Sequence, residues 1–244
     1  MDTDEYLDQL RLEGGRLVTA ARAAPSVPVP SCPEWDMRQL LAHIEAIHRW
    51  VAEILRTKAT ARVARTEAAP DVGFADLAAA YDAGLAALVA ALDSADPAAP
   101  VWNWFADAPA PAAFWFRRMA QETSVHRWDA EAAAGTPSAI DAALAVDGVD
   151  EYLGFVARYI ALHPIDGLEG ALSLVADDVG ASWHLDMAPD RLTADAPHLA
   201  RATVTAAASD LYLWLLHRTP RDPSAVTVEG DPGPVAAWGH VVFD

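Results

Sequence analysis

Cysteine is almost missing from this chain: Cys32 stands alone among 244 residues, which excludes an internal disulfide framework and fits a reducing cytoplasm. Basic residues are scarce as well. Seventeen Lys and Arg stand against thirty-five Asp and Glu, and the formal charge of -18 repels phosphate backbones and anionic membranes, so neither nucleic acid nor a membrane surface is an expected partner. No run approaches the roughly 20 apolar residues of a membrane span, because charges interrupt the alanine-rich segments. The opening MDTDEYLDQL has neither a basic region nor an apolar one that would read as a secretion signal. No Gly-rich phosphate loop, nucleophile elbow or CxxC pair occurs, which removes the usual support for nucleotide-dependent, α/β-hydrolase or thioredoxin-like chemistry. What is plentiful is apolar sequence, 53% of the chain, enough for one large or two small domains with a buried core. Heavy use of Ala, Arg, Asp, Val and Pro with few Lys reads as a high-GC bacterial genome.

The apolar positions Tyr6, Leu7, Leu10, Leu17 and Val18 share one face of a helix over 4–23, weakened in its middle by Gly14 and Gly15. The Pro-rich PSVPVPSCPEW cannot continue that helix and predicts an extended connection. Asp36 is an N-cap for a second helix in which Leu40, Leu41, Ile44, Ile47, Val51 and Ile54 repeat at helical spacing. FADLAAAYDAGLAALVAALDS gives a third, ending before Pro97, and FWFRRMAQETSVHRWDAEAAAG a fourth, with Gly135 its natural stop. Between them the long loop carrying Trp102, Trp104 and Phe105 has the makings of a lid over a cleft, or of a simple cap on the core. Four helices predict a bundle over 1–137. After Pro137 comes one more helix. GALSLVADD, ASWHLDMA, RATVTAA and SAVTVEGD then alternate as strands, with SDLYLWLLHR a helix between the last two. The fold class is therefore α+β, a helical bundle followed by a small α/β domain over 138–244.

Glu122 and His126 lie one turn apart on the fourth helix and can converge on one ion. His43, three residues from Leu40 and four from Ile47, faces inward from the second helix and is the natural third ligand. Two imidazoles and a carboxylate suit a borderline divalent metal and leave positions open for water or substrate. On spacing alone, however, an E-x-x-x-H pair is more often an exposed ion pair or hydrogen bond. His48 falls on another side of its helix and reads as a surface residue near Arg49. His163, His184, His198, His217 and His240 read as solvated histidines in loops or at element ends. Asp129 is either a second acceptor behind His126 or a partner of Arg127 or the backbone, the latter favoured. Cys32 has no clear positive neighbour and reads as a small buried hydrophobe. Trp50, Trp115 and Trp128 read as core, Trp102 and Trp104 as stronger claimants to a substrate cleft. Arg218 closes an apolar helix, where its planar fork suits a substrate carboxylate or the helix's last carbonyls.

SCPEWDMRQLLAHIEAIHRW, FWFRRMAQETSVHRWDAEAA and ASDLYLWLLHR with VTVEGDP resemble the mycothiol-dependent maleylpyruvate isomerase family, a branch of the DinB-like metalloenzymes, over nearly the whole chain. The resemblance implies a zinc ion, or another divalent transition metal, on His43, Glu122 and His126, with Arg218 lining the cleft. It also implies mycothiol, the low-molecular-weight thiol of actinobacteria, and an electrophilic small molecule as partners. A divalent cation lowers the pKa of a coordinated thiol. The resulting thiolate would add to the double bond of maleylpyruvate, allow rotation, and leave to give fumarylpyruvate, while Arg218 holds a carboxylate. A mycothiol S-transferase would use nearly the same site. Metal-assisted hydrolysis and a non-catalytic metal-containing binding or regulatory module are the other readings, and the chain is expected to be a monomer or a homodimer.

Overall fold

A computed structural model describes residues 1–66, 72–194, 200–218 and 222–242. His198, expected to be a solvated loop histidine, lies outside them. The chain divides into two compact units, Met1–Ser138 and Ala139–Asp244.

In the first unit helix α1 (Thr3–Ala23) starts at a capping box, Asp2 and Glu5 satisfying each other's backbone N–H. Helix α2 (Met37–Thr57) begins the same way at Asp36 and Gln39. The segment before it is not extended. Val29 N–H donates to the Trp35 carbonyl, Cys32 N–H to Val29 and Trp35 N–H to Cys32, so residues 27–37 fold back on themselves. Each Pro here stands where no N–H is needed, and the remaining N–H groups close the turn.

Helix α3 (Phe74–Asp93) and helix α4 (Ala113–Ala133) complete the bundle, α4 and α2 packing on each other, α1 on α3 and α4, and α2 on α3. Gly14 in the middle of α1 is explained by that packing. A Cβ there would lie 2.6 Å from a methyl of Leu85, and the buried Tyr81 hydroxyl donates to the Gly14 carbonyl at 3.2 Å. One expectation fails at α3: it is 20 residues long with mean hydropathy 1.5, enough by length and composition to cross a membrane. Nine of its twenty residues are alanine. Leu77, Tyr81, Leu88 and Leu92 are buried in the bundle, whereas the exposed positions hold Ala and Asp. The Trp-rich loop contains a short antiparallel pair, β1 (Pro100–Val101) with β2 (Ala110–Pro111). Trp102 packs edge-on against Trp50 and its backbone N–H donates to the Ala59 carbonyl, while Trp104, 49% exposed, lies against Phe105 and Phe114.

The second unit has helix α5 (Ala142–Leu162) and five strands, β3 (Gly170–Ala176), β4 (Ala181–Ala188), β5 (Arg191–Thr193), β6 (Ala202–Ala206) and β7 (Thr227–Gly230). The sheet order is β5-β4-β3-β6-β7, antiparallel except for β3 with β6. Alternation sets the faces: Trp183, Leu185 and Met187 of β4 and Ala202, Val204 and Ala206 of β6 point into the core. Helix α6 (Ala208–Leu215) and helix α7 (Pro232–Trp238) pack on β3 and β6. His184 is not a loop histidine. It sits in the middle of β4, its Nδ1 2.9 Å from Ser173 Oγ on the neighbouring strand. His163 caps α5, and His217 and His240 bond the carbonyls of Val241 and Asp166.

Candidate metal centre

Helix α4 is unusual in what it buries. Gln121, Thr123, Ser124, His126, Arg127, Asp129 and Glu131 are all buried among its apolar positions. Buried polar groups are costly unless partnered, and Thr123, Ser124, His126, Arg127, Asp129 and Glu131 have partners. Arg127 donates to Glu13 and, at 3.0 Å, to Glu131, while Glu131 also accepts from Arg16 and from the Ser138 N–H. That network ties α4 to α1 and pins the chain as it leaves α4.

The other half of the polar face carries the site. His43 on α2 and Glu122 and His126 on α4 bring one donor atom each within 4.8 Å of one another. Glu122 Oε1 is 3.5 Å from both His43 Nε2 and His126 Nε2. Tetrahedral ligands at zinc-like bond lengths sit roughly 3.3 to 3.4 Å apart, so these edges fit a single ion with little movement. The donors are reachable: the side chains of His43 and Glu122 are 22% and 23% exposed, that of His126 10%.

Asp129 stands behind the site. It is fully buried, its Oδ2 is 2.9 Å from His126 Nδ1, and its other oxygen accepts from Ser31. A carboxylate at Nδ1 fixes the tautomer that leaves the Nε2 lone pair facing the other donors. The arrangement is strongly polarised. Burial disfavours the charged forms of both Glu122 and His126, yet hydrogen bonds outweigh it. The two histidines and Arg118 hold Glu122 well below the usual carboxylate range, and Asp129 and Glu122 raise His126 to about 9.

Two neighbours, Trp35 and Arg118, carry no sequence assignment, and a third, His48, departs from its expected place. The Trp35 ring lies 4.7 Å from the His43 ring and 6.1 Å from that of His126, walling the site from the folded loop that also supplies Ser31. Arg118 donates to Glu122 Oε2 at 3.0 Å; its signal was in the sequence, since Arg118, Glu122 and His126 are spaced four apart on one helix face. His48 is buried outright, with Nε2 2.9 Å from Thr123 Oγ1 and its ring against Tyr81. Its spacing of five from His43 predicts a place on another, exposed side of α2, and the structure corrects that. That helix packs on α3 as well as α4, so a second face is buried. Arg218 belongs to the second unit, just past α6, and its Nη1 donates to the Leu216 carbonyl at 3.0 Å, the helix-end role open to it from sequence.

No curated protein matches the chain. Two crystal structures of the mycothiol-dependent maleylpyruvate isomerase, the second of a histidine-to-alanine mutant, are similar over 95% of this chain and 95% of theirs, with TM-scores of 0.66 and 0.64. At 13% and 12% identity that likeness establishes a shared fold. Residues 7–131, just over half of the sequence and all three donors, match the mycothiol maleylpyruvate isomerase N-terminal domain. The chain belongs to that family.

Proposed function

We propose that this protein is a metal-dependent enzyme of low-molecular-weight thiol chemistry, acting on a small electrophile that carries a carboxylate, with maleylpyruvate isomerisation using mycothiol the first activity to test. The observation that carries it is the convergence of His43, Glu122 and His126 at donor separations that suit one zinc-like ion, with His43 and Glu122 partly exposed. A divalent cation held there supplies the means to turn a thiol into a thiolate at neutral pH. The chain's own residues do the rest. Asp129 keeps His126 in its ligating tautomer, Trp35 shields the imidazoles from bulk water, and Arg218 is assigned the substrate carboxylate. Transfer of the thiol to an electrophile without its departure is the nearest alternative, since it needs the same donors.

Metal analysis of the purified protein, followed by a thiol titration, tests the reading. About one zinc or similar ion per chain is expected, lost in His43→Ala and in His126→Ala because two ligands hold an ion poorly. Arg218→Ala should keep the metal and lose most of the activity. Protein that takes up no metal on reconstitution would reduce the three side chains to a structural polar cluster.

A further inference from the structure

We infer that Arg118 is a positioning residue that holds Glu122 to one-oxygen ligation and so keeps a place on the metal open for an incoming ligand. The inference rests on the metal reading above and concerns a residue given no role there.

The two oxygens of Glu122 are already divided between partners. Oε2 accepts from Arg118 Nη2 at 3.0 Å, and Oε1 faces His43 and His126 at 3.5 Å each. A surface Arg and Glu one turn apart would contribute little, but this pair does not fit that description. The Arg118 side chain is only 12% exposed, and it precedes Glu122 in the chain, the less favourable order for a helical pair of opposite charge. A carboxylate can bind a metal through one oxygen or two, and the second mode consumes a coordination position. With Oε2 in a charge-assisted hydrogen bond, only Oε1 is turned toward the ion. Two imidazoles and one oxygen then leave room for the sulfur of a thiol, a substrate oxygen, or both.

The test compares the wild-type protein with Arg118→Met, which keeps much of the aliphatic stem, and Arg118→Lys, which restores a cation. Each is loaded with cobalt or zinc. The visible spectrum of the cobalt protein reports coordination number, and X-ray absorption of the zinc protein counts the light-atom ligands. Arg118→Met should gain about one oxygen near 2.0–2.2 Å, show weaker visible cobalt bands, and bind the metal several-fold more tightly. Arg118→Lys should return toward wild type. Identical spectra for wild type and Arg118→Met would overturn the inference while leaving the metal site standing. So would loss of metal from Arg118→Met, because a freed carboxylate should take more of the ion. Wild-type protein that binds no metal would instead overturn the functional reading itself.

Discussion

His43 and His48 sit five residues apart on α2 and end in opposite electrostatic settings. His43 is part of the partly exposed donor cluster, while His48 is sealed between Tyr81 and Thr123. Burial there, opposed by the charge of Glu122 and reinforced by that of His126, lowers the His48 pKa to about 3. A base whose pKa is depressed by folding is protonated first in the unfolded chain, so it costs nothing above pH 6.5 and draws stability away as the pH falls toward 3. The slope is about 1.4 kcal/mol per pH unit. Between pH 6.5 and pH 5, wild type should therefore lose about 1.6 kcal/mol more than His48→Gln, whose amide can still meet Thr123. Urea midpoints at the two pH values check this, and parallel losses in the two proteins would place His48 in contact with solvent. That Glu122 and His126 share one face was legible in the sequence, because a spacing of four aligns two side chains on a helix. The depth of His48 was not, since periodicity reveals one buried face and gives no count of the neighbours around a helix.

Elements were legible wherever a long period or a cap marked them. Asp36 and the apolar repeat after it predict α2 almost residue for residue, and strict alternation predicts β4 at 181–188. The pieces missed are short. β1 and β2 are two residues each and β5 three, too few for a period of two to show, and α7 opens on Pro232-Gly233-Pro234, which reads as a turn. α4 was found by its ends despite the polar residues on its buried face, and those residues are where the site lies. The paired glycines of α1 allow the cost of helix packing to be separated from helix propensity. Gly15 is exposed with nothing within 4 Å of a Cβ, so Gly15→Ala should stabilise by about 0.5–1 kcal/mol. Gly14→Ala gains the same propensity but drives its methyl into Leu85, and its melting temperature should stay at or below wild type. Equal gains in thermal melts would mean that α1 and α3 are not held as closely as their glycine contact requires.

At the scale of the whole molecule, all three candidate ligands, Asp129 behind them and Trp35 beside them come from the first unit, whereas Arg218 comes from the second. Metal binding and the assigned carboxylate role should therefore be separable by cutting the chain. The cut must respect the polar network at the end of α4. Ser138 gives its N–H to Glu131 at 3.0 Å, and its carbonyl accepts from the buried Arg127 at 2.6 Å. A fragment ending at residue 138 keeps both bonds. One ending at residue 133 strips the guanidinium of a buried acceptor, at a cost on the order of 2–3 kcal/mol. The longer fragment is expected to fold as a helical bundle and to take up metal with an affinity within about threefold of the intact chain, an energy difference near or below 0.7 kcal/mol, yet to lack the thiol-dependent activity. The shorter one should melt lower. Circular dichroism and metal titration on the two fragments decide the matter: a folded 1–138 that takes up no metal would show that the donors of α2 and α4 do not make a site unaided, and the placement of the centre in the first unit would have to be abandoned.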